Sequence, residues 1–340
     1  DLSKEVNEPN KVGYVVEIDP LNPNSTPKKH TALGRFKHEN AELVISKDGK
    51  IIVYMGDDER GEYLYKYVSN ESINEVKDKS TLLSNGNLYV AKFNDNFTGE
   101  WLLLDTQTTG FSSKAEVCIF TRLAASKVGA TTMDRPEWIA SNPKKNEVCC
   151  CLTNNKNRGI KTNKGGDKVD VDKVNPRKNN KYGQIVRWKP RDNNHSSIYF
   201  EWDLFVVAGN PNVHNDNNRG SKNIDKENMF NSPDGLKFDK YGRLWIQTDG
   251  NYSNSGDFKG MGNNQMLIAD TNTGKIKRFM VGPKECEVTG LTFAPDYKTV
   301  FVGIQHPGER LGSNFPDNGN NKPRSCIIAI QKKDGSEILT

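Results

Sequence analysis

No apolar stretch in this 340-residue chain approaches the roughly twenty residues needed to cross a membrane, so stable membrane insertion is not expected. The polar opening, DLSKEVNEPN, shows no signal peptide. Cysteine is sparse: six residues, at 118, 149, 150, 151, 286 and 326, without a CxxC pair. They read as small buried hydrophobes ahead of disulfides or metal ligands, and they leave the compartment open. With five histidines in all, a zinc site is a poor reading. RNP, KH and zinc-finger patterns are missing, and a net charge of +5 permits anionic ligands without calling for nucleic acid. Helical periodicity is weak nearly everywhere.

What the chain does have is a set of short alternating apolar runs, the mark of many thin strands. Four segments share one layout. Glu39 opens NAELVISKDGKIIVYMG and closes on Asp57-Asp58; Glu137 opens WIASNPKKNEVCCCLT and closes on Asn154-Asn155. Asp234 opens GLKFDKYGRLWIQT and closes on Asp249; Glu287 opens VTGLTFAPDYKTVFVGIQ and closes on His306. Each starts with an acid, turns at a polar corner such as Asp48-Gly49 or Tyr241-Gly242, and returns on a second strand. The starting acids are 98, 97 and 53 residues apart, close to two, two and one steps of the propeller blade length of about 50. The skipped steps fall near 88–105 and 182–205, also strand-like. A single all-β domain built as a β-propeller, six-bladed by this arithmetic, explains the regular return of an acid better than a β-sandwich does.

A hairpin brings the chain back to the end where it began, so the starting acids and the closing Asp, Asn or His converge on one mouth of the central channel. Any one of these acids alone is more simply a turn or cap residue. Four at matching positions repel one another unless a cation sits among them, and an oxygen-rich donor set favours hard ions such as calcium or ferric iron. The densest basic stretch, 156–181, holds nine Lys or Arg against three Asp and reads as a solvated, mobile loop insertion.

Several stretches closely resemble the PhoX family of bacterial alkaline phosphatases: GYVVEIDP (13–20), TALGRFKHE (31–39), VYMGDDERGEYLYKYVS (53–69) and TTMDRPEW (131–138). CLTNN (151–155), NPRKNNKYGQIVRW (175–188), SPDGLKFDKYGRLWIQTDG (232–250) and TGLTFAPDYKTVFVGIQHPGE (289–309) continue the match in family order. The resemblance implies a six-bladed propeller holding ferric and calcium ions in its channel and hydrolysing small-molecule phosphate monoesters by metal-assisted in-line attack. It implies Glu137 and Asp234 as metal ligands, with Glu39, Glu59, Asp249 and Glu287 beside them. Arg135 would hold the phosphoryl oxygens, with Asn154 and His306 as further contacts. A structural ion pair is the plainer role for Arg135. The resemblance further implies export through the twin-arginine route to the periplasm or beyond, and a monomer is expected.

One departure stands out. The family's WGTxxxCEEN segment, whose cysteine ligates iron, has no counterpart here, and the expectation is that an N-terminal part of the domain is absent. The basic stretch 156–181 would then raise the local concentration of anionic substrate. Two alternatives remain open at this point: a calcium-dependent lactonase or esterase propeller, and a non-catalytic calcium-binding surface propeller.

Overall fold

The structure, a computed structural model, describes residues 9–338. A short hairpin, β1 (Val15–Glu17) and β2 (Lys28–His30), precedes the first blade. That blade comprises β3 (His38–Ile45), β4 (Lys50–Asp57), β5 (Leu64–Ser72), β6 (Gly86–Phe93) and β7 (Thr98–Leu104). Three short helices follow, α1 (Thr106–Thr109), α2 (Lys114–Ile119) and α3 (Thr121–Lys127). The second blade is β8 (Pro136–Ser141), β9 (Val148–Leu152), β10 (Gln184–Pro190) and β11 (Tyr199–Val207). The third is β12 (Pro233–Phe238), β13 (Arg243–Thr248), β14 (Gln265–Asp270) and β15 (Ile276–Val281). The fourth is β16 (Glu287–Phe293), β17 (Thr299–Gln305) and β18 (Cys326–Gln331). No helix among the described residues is long and apolar enough to cross a membrane.

All four acid-initiated hairpins form, as β3–β4, β8–β9, β12–β13 and β16–β17, each antiparallel. The innermost strands stand side by side, β3 against β8, β8 against β12 and β12 against β16, which is the radial arrangement of a β-propeller. The spacing of the blades is where sequence and fold part. The strands at 88–105 and 182–205 do not open extra blades; β6 and β7 extend the first sheet beyond β5, and β10 and β11 extend the second beyond β9. The repeat is therefore one blade per acid, and the described residues hold four blades of the propeller. The first step is long because a fifth strand and the three helices follow β6, the second because of the loops at 153–183 and 208–232. The first two blades are also fused: β7 pairs with β11 at residues 98–100 and 199–201, making one nine-stranded sheet. A side chain at Gly99 would place its Cβ 2.2 Å from the Phe200 ring, so this seam needs glycine.

The two faces of β9 serve different neighbours, as alternation demands. Cys149 and Cys151 pack with Leu236, Phe238 and Ile246 of the third blade. Cys150 packs with Ile52, Tyr54 and Trp188 on the other side. All six cysteines are free thiols, and the run at 149–151 is wholly buried, so they act as compact apolar filling. The helices cover the outer face of the first blade, where Val117, Ala124 and Ala125 meet Val53, Met55 and Tyr65. The starts of α1 and α2 are capped by Asp105 and Ser113, whose side chains accept from Thr108 N and Glu116 N.

The 156–181 segment is a loop, as its composition suggests, but it is anchored from within. Its seven lysines are exposed, but both arginines are buried struts. Arg158 Nε donates to Asp134 Oδ1 at 2.7 Å, and its other nitrogens reach the carbonyls of Thr132 and Asp170. Arg177 donates to the carbonyls of Ala208 and Gly183. Composition registers charge but not whether a guanidinium meets inward-facing acceptors. Asp134→Ala, which strands Arg158 in the interior, is expected to cost about 3–5 kcal/mol in urea unfolding. Lys161→Gln on the same segment should stay within about 0.5 kcal/mol.

Candidate metal and anion centre

Past the end of β4, residues 60–62 run alongside 133–134. Gly61 N donates to Met133 O (3.0 Å), Met133 N to Glu62 O (2.9 Å), and Arg60 bridges to Asp134. Gly56 makes the approach possible, since a Cβ there would sit 2.6 Å from the carbonyl oxygen of Glu137. Three inner strands, β3, β8 and β12, bulge at their start, and the acids Glu39, Glu137 and Asp234 lie inside those bulges, aimed off the regular pleat. Glu39, Asp58 and Glu137 each bring a carboxylate oxygen within 4.8 Å of the others.

A second group forms at the far side of the arc. Asp249, just after β13, Glu287 at the start of β16 and His306 just after β17 also offer ligand atoms within 4.8 Å of one another. His306 Nε2 lies 3.6 Å from Glu287 Oε2, which also accepts from Gln305 Nε2 at 2.8 Å. Asp234 links the groups electrically: it is 6% exposed, and Glu287, Asp249, Glu39 and Asp58 all press on its charge. Its Oδ1 is buried without a hydrogen-bond partner. Burial first, and then these neighbouring carboxylates, push Asp234 well above the carboxylate range. Burial, then Asp234 and Asp58, do the same to Glu137. Glu287 is raised to about 7 by burial and then by Asp249, with His306 opposing.

This donor set fits hard cations. Six carboxylates and one imidazole gather in two neighbouring groups, the acids destabilise one another's charges, and a buried oxygen of Asp234 has no partner. Arg135 sits between the acids. Its Nε donates to Asp58 Oδ1 at 2.8 Å, and a terminal nitrogen donates to Glu137 Oε1 at 3.0 Å. The backbone at Arg135 is left-handed (φ 57°), as it is at Ser232 (49°) and His306 (37°). Arg135 and Ser232 each precede the proline that opens an inner strand, so strain gathers around the channel mouth.

Five of the six acids singled out in the sequence thus come together, with Arg135 and His306. Glu59 joins neither group; its carboxylate is held by Lys37 (3.0 Å) and Lys164 (2.6 Å), and, although burial opposes them, these cations lower it to about 2. Asn154 donates to Ser232 Oγ at 3.2 Å. Asp58, outside that set of six, stands in the first group. Its position as the closing acid of the first repeat was the available signal.

Residues 1–308 match the family model described as alkaline phosphatase PhoX. The chain belongs to this family. The solved structure of Pseudomonas fluorescens PhoX in complex with vanadate, a transition-state analogue, is similar at 55% identity and a TM-score of 0.93, over 99% of this chain. The chain spans 60% of the length of that PhoX. A luciferin-regenerating enzyme (9% identity, TM-score 0.35, 88% of this chain and 78% of that one) is too distant to carry an argument. So is a Xanthomonas campestris gluconolactonase (12% identity, TM-score 0.30, 79% and 55%). No curated protein matches the chain.

Two expectations separate the PhoX-type residues placed here. Asp58→Asn should weaken calcium binding by at least about tenfold in isothermal titration, whereas Glu59→Gln should leave it within about threefold. The second concerns pH. A carboxyl whose folded pKa is raised favours the folded state at low pH and loses that contribution as pH climbs from the unfolded to the folded value. For Glu287 that window runs from about 4.5 to about 7. Chelator-treated protein should therefore lose thermal stability across this window, Glu287→Gln should flatten the loss, and calcium should reverse it.

Proposed function

We propose that this chain acts as a metal-dependent alkaline phosphatase, hydrolysing phosphate monoesters to inorganic phosphate. The observation that carries the reading is the guanidinium of Arg135, fixed by Asp58 and Glu137 at the edge of convergent carboxylates, in a chain 55% identical to a PhoX that binds vanadate. Glu39, Asp58, Glu137, Asp234, Asp249 and Glu287, with His306, would hold the cations, calcium and ferric iron being the hard ions that suit such donors. Bound cations supply charge neutralisation and activation of water.

The remaining work falls to the chain itself. Arg135 offers a planar fork to phosphoryl oxygens, and its engagement by two acids fixes the direction of that fork before substrate arrives. Water attacks phosphorus in line with the departing oxygen, so the equatorial oxygens gathered at Arg135 are where charge builds. Asn154, half-buried and hydrogen-bonded to Ser232, adds an amide, and His306 stands beside Glu287 on the opposite wall. Export by the twin-arginine route belongs to the same reading and rests on family membership alone.

The test is turnover of p-nitrophenyl phosphate by calcium-loaded and by chelated protein. Calcium-dependent release of p-nitrophenol is expected, with Arg135→Ala lowering kcat/KM by about 10²–10³ and Arg135→Lys failing to restore it. Absence of turnover in both states removes the phosphatase reading and leaves a lactonase or a non-catalytic propeller.

A further inference from the structure

Two arms of chain leave the Asp249–Glu287–His306 group and meet again. Tyr252 lies three residues beyond Asp249 and Glu309 three beyond His306, and Tyr252 Oη donates to Glu309 Oε2 at 3.2 Å. Glu309 is near enough to Asp249 to press on its charge. The guanidinium of Arg310 lies over the Tyr252 ring, 5.4 Å from its centroid. This arm is held in place: Glu285 Oε2 accepts from the backbone of both Arg310 (2.8 Å) and Gly312 (2.9 Å), and Gly308 N donates to Lys284 O at 3.0 Å. Glu285 and Leu311 adopt left-handed backbone, at φ 59° and 66°, and Leu311 is held 88% exposed. None of these groups is among the residues assigned above to the cations or the phosphoryl oxygens. An aromatic ring three residues from the cation-holding group, a planar cation lying on it and an outward leucine next in the chain form a surface for a flat, partly apolar substituent.

We propose that Tyr252, with Arg310 and Leu311, is the leaving-group subsite and favours phosphate esters of planar aromatic alcohols over those of small alkyl alcohols. The inference rests on the monoester-hydrolase reading. It adds the substrate class that the site selects, through contact with the group that departs and not with the phosphate.

The experiment compares kcat/KM for p-nitrophenyl phosphate and for glycerol phosphate in calcium-loaded wild type, Tyr252→Ala and Tyr252→Phe. Comparing each variant with wild type cancels the intrinsic difference in reactivity between the esters. Tyr252→Ala is expected to lower the aryl-to-alkyl ratio about tenfold, chiefly through KM, while Tyr252→Phe keeps it within about twofold because the ring remains. An unchanged ratio in Tyr252→Ala overturns the subsite while leaving the hydrolase reading intact. An equal fall in both variants also overturns it, assigning the effect to the Tyr252–Glu309 hydrogen bond. Wild type that turns over neither ester removes the hydrolase reading and the subsite with it.

Discussion

Neighbouring blades stand together without a shared backbone ladder between their innermost strands, so side chains must join them. Asn40 does this for the first pair: its amide donates to the carbonyl of Ile139 at 2.8 Å and accepts from the same residue's N–H at 3.0 Å. Glu42 accepts from Ser141 N one pleat further on. Gln247 takes the equivalent part between the third and fourth blades, accepting from Leu291 N. At the opposite end, buried Glu147 accepts from both Asn142 and Thr271, tying the second blade to the third. Asn40 follows Glu39 directly, so the bond that sets the spacing of two blades also sets how closely Glu39 approaches Glu137. Blade docking and site assembly are here one constraint.

That constraint works against the electrostatics of the acids it assembles. Packing of inner strands holds Glu137 and Asp234 out of water and within reach of other carboxylates, an arrangement that neither charge favours. Arg135 offsets part of it through Asp58 and Glu137, and left-handed backbone at Arg135, Ser232 and His306 adds conformational cost. The hydrophobic interior of β9 and its neighbours sustains these local penalties. A site assembled at the expense of stability by rigid strands is pre-organised for ions and anions.

The four hairpins and their leading acids were legible because period-two alternation, turn residues and a recurring carboxylate all give the same answer. Blade membership was not. Spacing along the chain cannot tell whether β6 and β7 begin a new sheet or continue an old one, because ladder partners leave no local mark. The helices escaped notice for a different reason: four to seven residues are too few to display a 3.6-residue period, although the caps at Asp105 and Ser113 were there to be read. That Asp58 stands in the first group and Glu59 does not is a matter of turn geometry. Asp57 closes β4 and meets Arg122; beyond it alternation no longer dictates direction, so Asp58 meets Arg135 and Glu59 meets two lysines. Arg158 and Arg177 show the limit of composition, which counts cations without knowing what lies beneath them.

The seam between β7 and β11 bears on the order in which the molecule folds. The third blade draws its four strands from one continuous stretch, 233–281, and can zip from hairpin to hairpin. The first two blades cannot finish separately, because residues 98–100 must find 199–201 across a hundred intervening positions. Loop closure of that length opposes pairing until both sheets are nearly formed, which makes this seam a late, high-contact-order event. Until it closes, two outer strands carry unpaired edges of the kind that recruit other chains. The same three-residue ladder that finishes the nine-stranded sheet therefore also ends the interval in which the nascent protein is most prone to aggregate.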